Sequence, residues 1–263
     1  FHNVYGSNNF FKVQYNKSLA KVDKIVAISS FVKSNIIKNY NISEKKINVI
    51  NRGVDTNFFD PKIYDQTKFI NFLSKYNIPS DKKIILYPGR LTDWKGQINF
   101  LEVLRDLKDK NIFCFFVGDD KNSSFTKKFL KEIDKKQVNN ICKVLGNLSS
   151  LDLKFFYKLC DVVISAPLKP EGFGRTISES LSMKKMIVSY DYGGVKDQLF
   201  KLSNLYKVKP FDNLELKSKI DNVLQMTPEE NENLGNIARE HVINNFSKEL
   251  MLKNYLNFYK NIL

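Results

Sequence analysis

DVVISAPLKPEGFGRTISE, residues 161–179, decides the fold. It passes from an apolar run, DVVISA at 161–166, through a glycine-bearing loop and into a helical pattern. That is the order strand, loop, helix. In an open α/β sheet such a junction lies outside the carboxyl end of a strand, where ligands bind. The stretch holds Glu171 and Glu179, eight positions apart, with a Gly-Phe-Gly turn and Arg175 between them.

Outward from this stretch the same alternation recurs. Candidate strands are KIVAI (24–28), INVI (47–50), KIILYPG (83–89), IFCFFVG (112–118), CKVLG (142–146), DVVIS (161–165), MIVSY (186–190) and NLYKV (204–208). Helical patterns lie between them at 29–40, 97–109, 124–136 and 150–160. Strands alternating with helices predict a parallel sheet covered on both faces. Residues 83–208 supply six strands, enough for one complete Rossmann-like domain, and the two earlier strands read as the tail of another. NRGVDTNFFDPKIYDQ (51–66), with Gly53, Pro61 and several aspartates, reads as a linker. After residue 212 the pattern is all helical. The last helix has Ser247 as its N-cap, and Leu250 where a capping box needs Glu or Gln.

Composition narrows the function. An apolar content of 43% with 13% aromatics is ample for a core. No apolar stretch approaches the roughly 18 residues that span a bilayer. FHNVYGSNNF at 1–10 has neither the basic head nor the apolar run of a signal peptide, and Phe1 in place of Met leads us to expect missing upstream sequence. Cys114, Cys142 and Cys160 are odd in number and match no metal spacing, so they read as small buried hydrophobes and as reduced thiols of the cytosol. With His2 and His241 alone, a His-rich metal site is not expected. The net charge of +14 comes from scattered lysines without a dense basic block, which argues against nucleic acid and allows a mild attraction to anionic lipid headgroups.

Four motifs fall at predicted strand ends. PGRLTDWKG (88–96) places Arg90 and Lys95 among Gly89 and Gly96; VGDD (117–120) and LGN (145–147) bring Gly118 and Gly146; EGFGRTISE is the fourth. Two fixed cations at a helix entrance suit an anionic diphosphate, and glycines let backbone amides approach its oxygens. Glutamates, being acceptors, suit hydroxyl donors. A ligand with phosphates and many hydroxyls is a nucleotide sugar. Each piece alone has a plain structural explanation: Glu179 as a first-turn glutamate, Arg90 and Lys95 as solvated loop charges, each glycine as a turn. Their joint occurrence in this order outweighs those explanations.

Together these motifs resemble the family 4 retaining glycosyltransferases of GT-B fold. The likeness runs over VDKIVAISSFVKSNIIKNY with KINVINRGVDTNFFDP, GRLTDWKG, and PEGFGRTISESLSMKKMIVSYDYGG. It implies that residues 1–60 are the remnant and linker of an acceptor-side domain. Residues 61–246 would be the donor-binding domain, and 247–263 a helix crossing back, its stripe of Leu252, Tyr255, Leu256, Tyr259 and Leu263 needing a partner. By the same resemblance, Arg90 and Lys95 would bind the donor diphosphate, Glu171 would meet the sugar, and Gly172, Phe173, Gly174, Arg175 and Thr176 would line the sugar and phosphates. Glu179 would accept from the ribose, and His2 would reach toward the sugar. Lys184 and Met186 depart from the glycine and proline usual in that motif.

The implied activity is metal-independent transfer of a sugar from a nucleotide diphosphate, with retention, to a glycan or lipid-linked acceptor in cell-surface polysaccharide or lipopolysaccharide synthesis. No cofactor is expected. The implied location is the cytoplasm, with room for contact at the inner face of the membrane. A GT-B-shaped nucleotide-sugar epimerase and a non-catalytic binding fragment remain as alternatives.

Overall fold

The computed structural model describes residue 1 and residues 10–19, 22–118 and 123–262. After α1 (Phe10–Leu19), a short parallel pair, β1 (Ile25–Ala27) and β2 (Ile47–Val49), is joined by α2 (Ser30–Tyr40). The chain continues through α3 (Gln66–Tyr76), β3 (Lys83–Pro88), α4 (Gln97–Asp106), β4 (Ile112–Val117), α5 (Ser124–Lys135), β5 (Cys142–Gly146) and α6 (Ser150–Leu159). There follow β6 (Val162–Ser165), α7 (Arg175–Ser182), β7 (Met186–Tyr190), α8 (Val195–Leu199), β8 (Lys207–Val208), α9 (Asn213–Leu224), α10 (Pro228–Phe246) and α11 (Lys248–Lys260).

The larger sheet has six parallel strands in the order β5-β4-β3-β6-β7-β8. From β3 the chain winds outward through β4 and β5, and from β6 it winds the other way. The winding reverses between β3 and β6, so the loops after these two strands open a crevice between them. Helices cover both faces, which is why β6 and β7 are buried at every residue and read as unbroken apolar runs.

One expectation needs correction. NLYKV is not a five-residue strand: Asn204–Tyr206 form a 3-10 turn capped by Ser203, and only Lys207–Val208 pair with β7. After residues 51–65 the chain enters a helix that the sequence pattern did not mark. Asp65 accepts from the Lys68 amide at 2.9 Å and starts α3, whose Phe69 and Phe72 rings meet Phe155 of α6 at 5.3 and 5.4 Å. Only Phe72 of α3 is buried, so the helix carries too thin an apolar stripe to show as a period.

Residues 54–60 are tied to the C-terminal helices. Val54 donates to the Phe246 carbonyl and accepts from the Lys248 amide, both at 2.8 Å. Arg239 of α10 donates to the carbonyls of Thr56 and Phe59 and to Asp60 Oδ2 at 2.7 Å. Ser247 caps α11 by accepting from the Leu250 amide at 3.3 Å. No residue of α11 is buried, and Leu252, Leu256 and Tyr259 are exposed; Leu263 lies outside the described residues.

Candidate functional site

The loop after β3 is held from beneath. The Tyr87 hydroxyl donates to the Lys95 carbonyl at 2.7 Å and accepts from the Ala166 amide at 3.3 Å, while the buried Gln97 amide donates to the Arg90 carbonyl at 2.9 Å. With its carbonyls drawn inward, the loop leaves the Arg90 side chain exposed. Gly96 starts α4 at φ +81°, and a Cβ there would lie 2.1 Å from the Ala166 carbonyl oxygen. Only glycine fits both the conformation and the gap. The neighbouring strand ends are as close: the Gly118 amide donates to Gly146 O at 2.9 Å, and a Cβ on Gly118 would fall 2.3 Å from Gly89 O.

The loop after β6 is gripped by its carbonyls. Glu171 O accepts from the Gly194 amide at 2.8 Å, and Gly172 O from the Ser29 hydroxyl of the α2 N-cap at 2.5 Å. The buried Gln198 amide donates to Phe173 O and Gly174 O at 2.5 and 3.1 Å. The Phe173 ring packs on Phe246. Among the described residues nothing accepts from the amides of Gly172, Phe173, Gly174, Arg175 or Thr176, and these five residues line one cleft. Carbonyls held by protein and amides left open describe a receptor for an anion or another acceptor-rich group.

That cleft has a volume of about 1070 Å³ and lies at the reversal between β3 and β6. It gathers Gly89, Arg90, Lys95, Gly118, Glu171, Gly172, Phe173, Gly174, Arg175, Thr176 and Glu179 from motifs far apart in sequence. Gly146 lies behind the wall, supporting Gly118 from below at φ +71°. His2 lies outside the described residues. The lining holds five cationic side chains against two carboxylates, a positive field in a concave surface.

The two motifs touch. Lys95 Nζ and Glu171 Oε1 are 2.8 Å apart with both side chains largely buried, and the ammonium lies 4.7 Å from the centre of the Trp94 ring. Glu179 is the fifth residue of α7, beyond the first turn, which removes the helix-dipole explanation for it. Its carboxylate accepts from the Tyr157 hydroxyl at 3.0 Å. Burial pushes the Glu179 carboxyl above the usual range, opposed by the Arg175 charge and the Tyr157 hydrogen bond.

Sequence reasoning missed part of the lining: Arg52 and Lys169 among the cations, Phe31, Asn35 and Asn39 on α2, and Tyr157. Only Lys169 carried a signal, its place two residues before Glu171. Among the described residues no group of three or more His, Cys, Asp or Glu side chains could hold a metal ion. The three cysteines are buried, and burial pushes the Cys142 and Cys160 thiols up to about 12. No helix of the described residues is long and apolar enough to cross a membrane.

Comparison with known proteins gives a consistent picture. The family model described as glycosyl transferases group 1 matches residues 68–241, and that of glycosyltransferase family 4 matches residues 1–58. A glycosyltransferase from Rickettsia africae is 38% identical, superposes with a TM-score of 0.89, and covers 100% of this chain and 69% of its own. Anabaena HepE in complex with UDP and glucose is 19% identical with a TM-score of 0.87, over 99% of this chain and 70% of its own. Among curated relatives, the lipopolysaccharide 1,2-N-acetylglucosaminetransferase of Salmonella typhimurium is 22% identical over 90% of this chain and 62% of its own. The trehalose synthase of Pyrococcus horikoshii is 24% identical over 75% of this chain and 48% of its own. The chain thus spans about half to two-thirds of the length of these curated relatives. Its α/β architecture is the GT-B type.

Proposed function

The chain belongs to the glycosyl transferases group 1 family, and from that premise we propose that its cleft binds a nucleotide-diphosphate sugar and donates the sugar to an acceptor hydroxyl with retention. The observation that carries this reading is the loop 171–176, which lines the cleft with Arg90 and Lys95: the carbonyls of residues 171–174 are held by protein, while among the described residues the amides of 172–176 have no acceptor. UDP and glucose bound to Anabaena HepE, a neighbour of the same fold, support a nucleotide sugar as the ligand class.

In this reading the diphosphate lies between the open amides of α7 and the cations of the β3 loop. The bond from the sugar's anomeric carbon to the β-phosphate oxygen breaks, and Arg90 and Lys95 hold the charge that grows on the departing phosphate. The acceptor oxygen bonds to the anomeric carbon on the face the phosphate leaves, and its proton passes to a phosphate oxygen. Glu171, aligned by Lys95, orients the sugar hydroxyls, and Glu179 receives the ribose. The cationic loop takes the part a divalent ion plays elsewhere, so no metal or other cofactor is assigned. The acceptor is a glycan or a lipid-linked glycan, met in the cytoplasm or at the inner face of an anionic membrane. The Salmonella relative supports a role in cell-surface glycan synthesis.

The test is product formation by the full-length protein with radiolabelled UDP-glucose, a panel of acceptor glycans and a chelator. A glycoside of retained configuration is expected. A free epimerised sugar nucleotide, an inverted product, or strict dependence on added magnesium would overturn the reading.

A further inference from the structure

We propose that Tyr157 is a positioning residue that makes this cleft prefer a ribonucleotide to its deoxy counterpart, by fixing the Glu179 carboxylate so that one oxygen stays open for a ribose hydroxyl. The inference rests on the reading of Glu179 as the ribose acceptor.

Tyr157 belongs to α6 and Glu179 to α7, two helices on successive crossovers that meet at the cleft wall. The Tyr157 side chain is fully buried, yet its hydroxyl reaches Glu179 Oε2 at 3.0 Å. A carboxylate is an acceptor only, with lone pairs on both oxygens. Oε2 is occupied by the phenol, and among the described residues Oε1 has no partner. One oxygen is therefore anchored and the other presented to the ligand.

The phenol has little freedom to turn away. Its ring meets Phe59 edge-on at 6.0 Å, and its carbonyl accepts from Cys160 Sγ at 3.5 Å. Glu179 Oε2 is an acceptor only, so the phenolic proton is directed to it. Burial and the nearby carboxylate hold the phenol well above its ordinary titration range, so it stays a donor. The same hydrogen bond opposes the protonation that burial favours in Glu179. Tyr157 therefore fixes the direction of the group that meets the sugar ring of the nucleotide. An oriented acceptor discriminates against a ligand that lacks its hydroxyl, because the loss leaves the open oxygen without a partner.

The experiment is calorimetric titration of the protein with UDP, 2′-deoxy-UDP and 3′-deoxy-UDP, for the parent, Tyr157→Phe, Glu179→Gln and the double variant. Phenylalanine keeps the ring and its packing. The parent should prefer UDP to at least one deoxy ligand by about tenfold or more. Tyr157→Phe should lose most of that preference by weakening UDP while sparing the deoxy ligand, and the double variant should be no worse than Glu179→Gln alone. Equal weakening of all three ligands by Tyr157→Phe would reduce the tyrosine to a packing role and overturn the inference. If Glu179→Gln abolishes the preference and Tyr157→Phe leaves it whole, the inference fails while the ribose reading stands. If Glu179→Gln leaves the preference intact, the ribose reading itself fails.

Discussion

Two kinds of helix start stand in contrast in this molecule. One kind is capped by its own chain: Ser149 accepts from the Asp152 amide at 3.0 Å, and Thr227 accepts from Glu230 N at 3.2 Å. At Thr227, Glu230 returns the bond to the Thr227 amide and Pro228 opens the helix, a complete capping box. By contrast, α4 and α7, which follow β3 and β6, begin at Gly96 and Gly174 in left-handed conformations with no side-chain cap. A serine or aspartate oxygen in that place would satisfy the first-turn amides and occupy the space an anion needs. A helix start completed within the protein contributes stability, and one left open contributes binding.

The sharpest way to break that comparison is to give α4 a conventional cap. Gly96→Ser places a Cβ at φ +81° and 2.1 Å from a carbonyl oxygen, so it should cost about 3 kcal/mol of stability in urea unfolding and abolish UDP binding. A cost below about 1 kcal/mol would show that the glycine is not imposed by the fold. Next in size is Arg90→Ala, expected to weaken UDP binding by about 1.5–3 kcal/mol in calorimetry while leaving the melting temperature unchanged. Unaltered affinity would remove the cation from the site. The converse variant, Thr227→Ala, should cost about 1 kcal/mol in unfolding and nothing in nucleotide affinity. An effect on UDP binding there would blur the line between the two kinds of helix start.

The smallest effect concerns Glu179, where stability and binding should part company. Its carboxyl is raised in the folded chain, so the folded state keeps this proton to higher pH than the unfolded state. The stability it contributes is full below the unfolded value and is lost as pH rises through the raised one. Nucleotide affinity should run the other way, rising with pH as the carboxylate ionises. Glu179→Gln should therefore make the ligand-free protein slightly more stable at pH 7 by thermal melting, and bind UDP more weakly. A lower melting temperature would show that the charge is stabilising as it stands.

The central strands were legible in the sequence because burial on both faces leaves unbroken apolar runs, as in MIVSY and DVVIS. The helix α3 was not, since one buried phenylalanine makes no period. Arg90, Lys95, Glu171 and Glu179 could be read because each stands in a loop or helix that opens at a strand end. Their pairing could not: Lys95 and Glu171 meet across 76 residues of chain. Tyr157 was hidden among Phe155 and Phe156 in an amphipathic helix, where a phenol and a core ring look alike. Asn35, Asn39 and Arg52 reach the cleft only through the docking of α2 on the 171–174 loop, which the Ser29 hydrogen bond secures and no local pattern announces.

Trp94 is the sole tryptophan of the chain, and it stands in the cleft wall with the Lys95 ammonium over its ring. Light absorbed only by indole therefore reports from one address. An ammonium beside an excited indole alters its emission, so a ligand that draws Lys95 from the ring to a phosphate changes the signal without any label. The same residue that shapes the phosphate loop makes the protein its own optical probe, able to follow occupancy of the cleft in real time and to rank unlabelled nucleotides by competition.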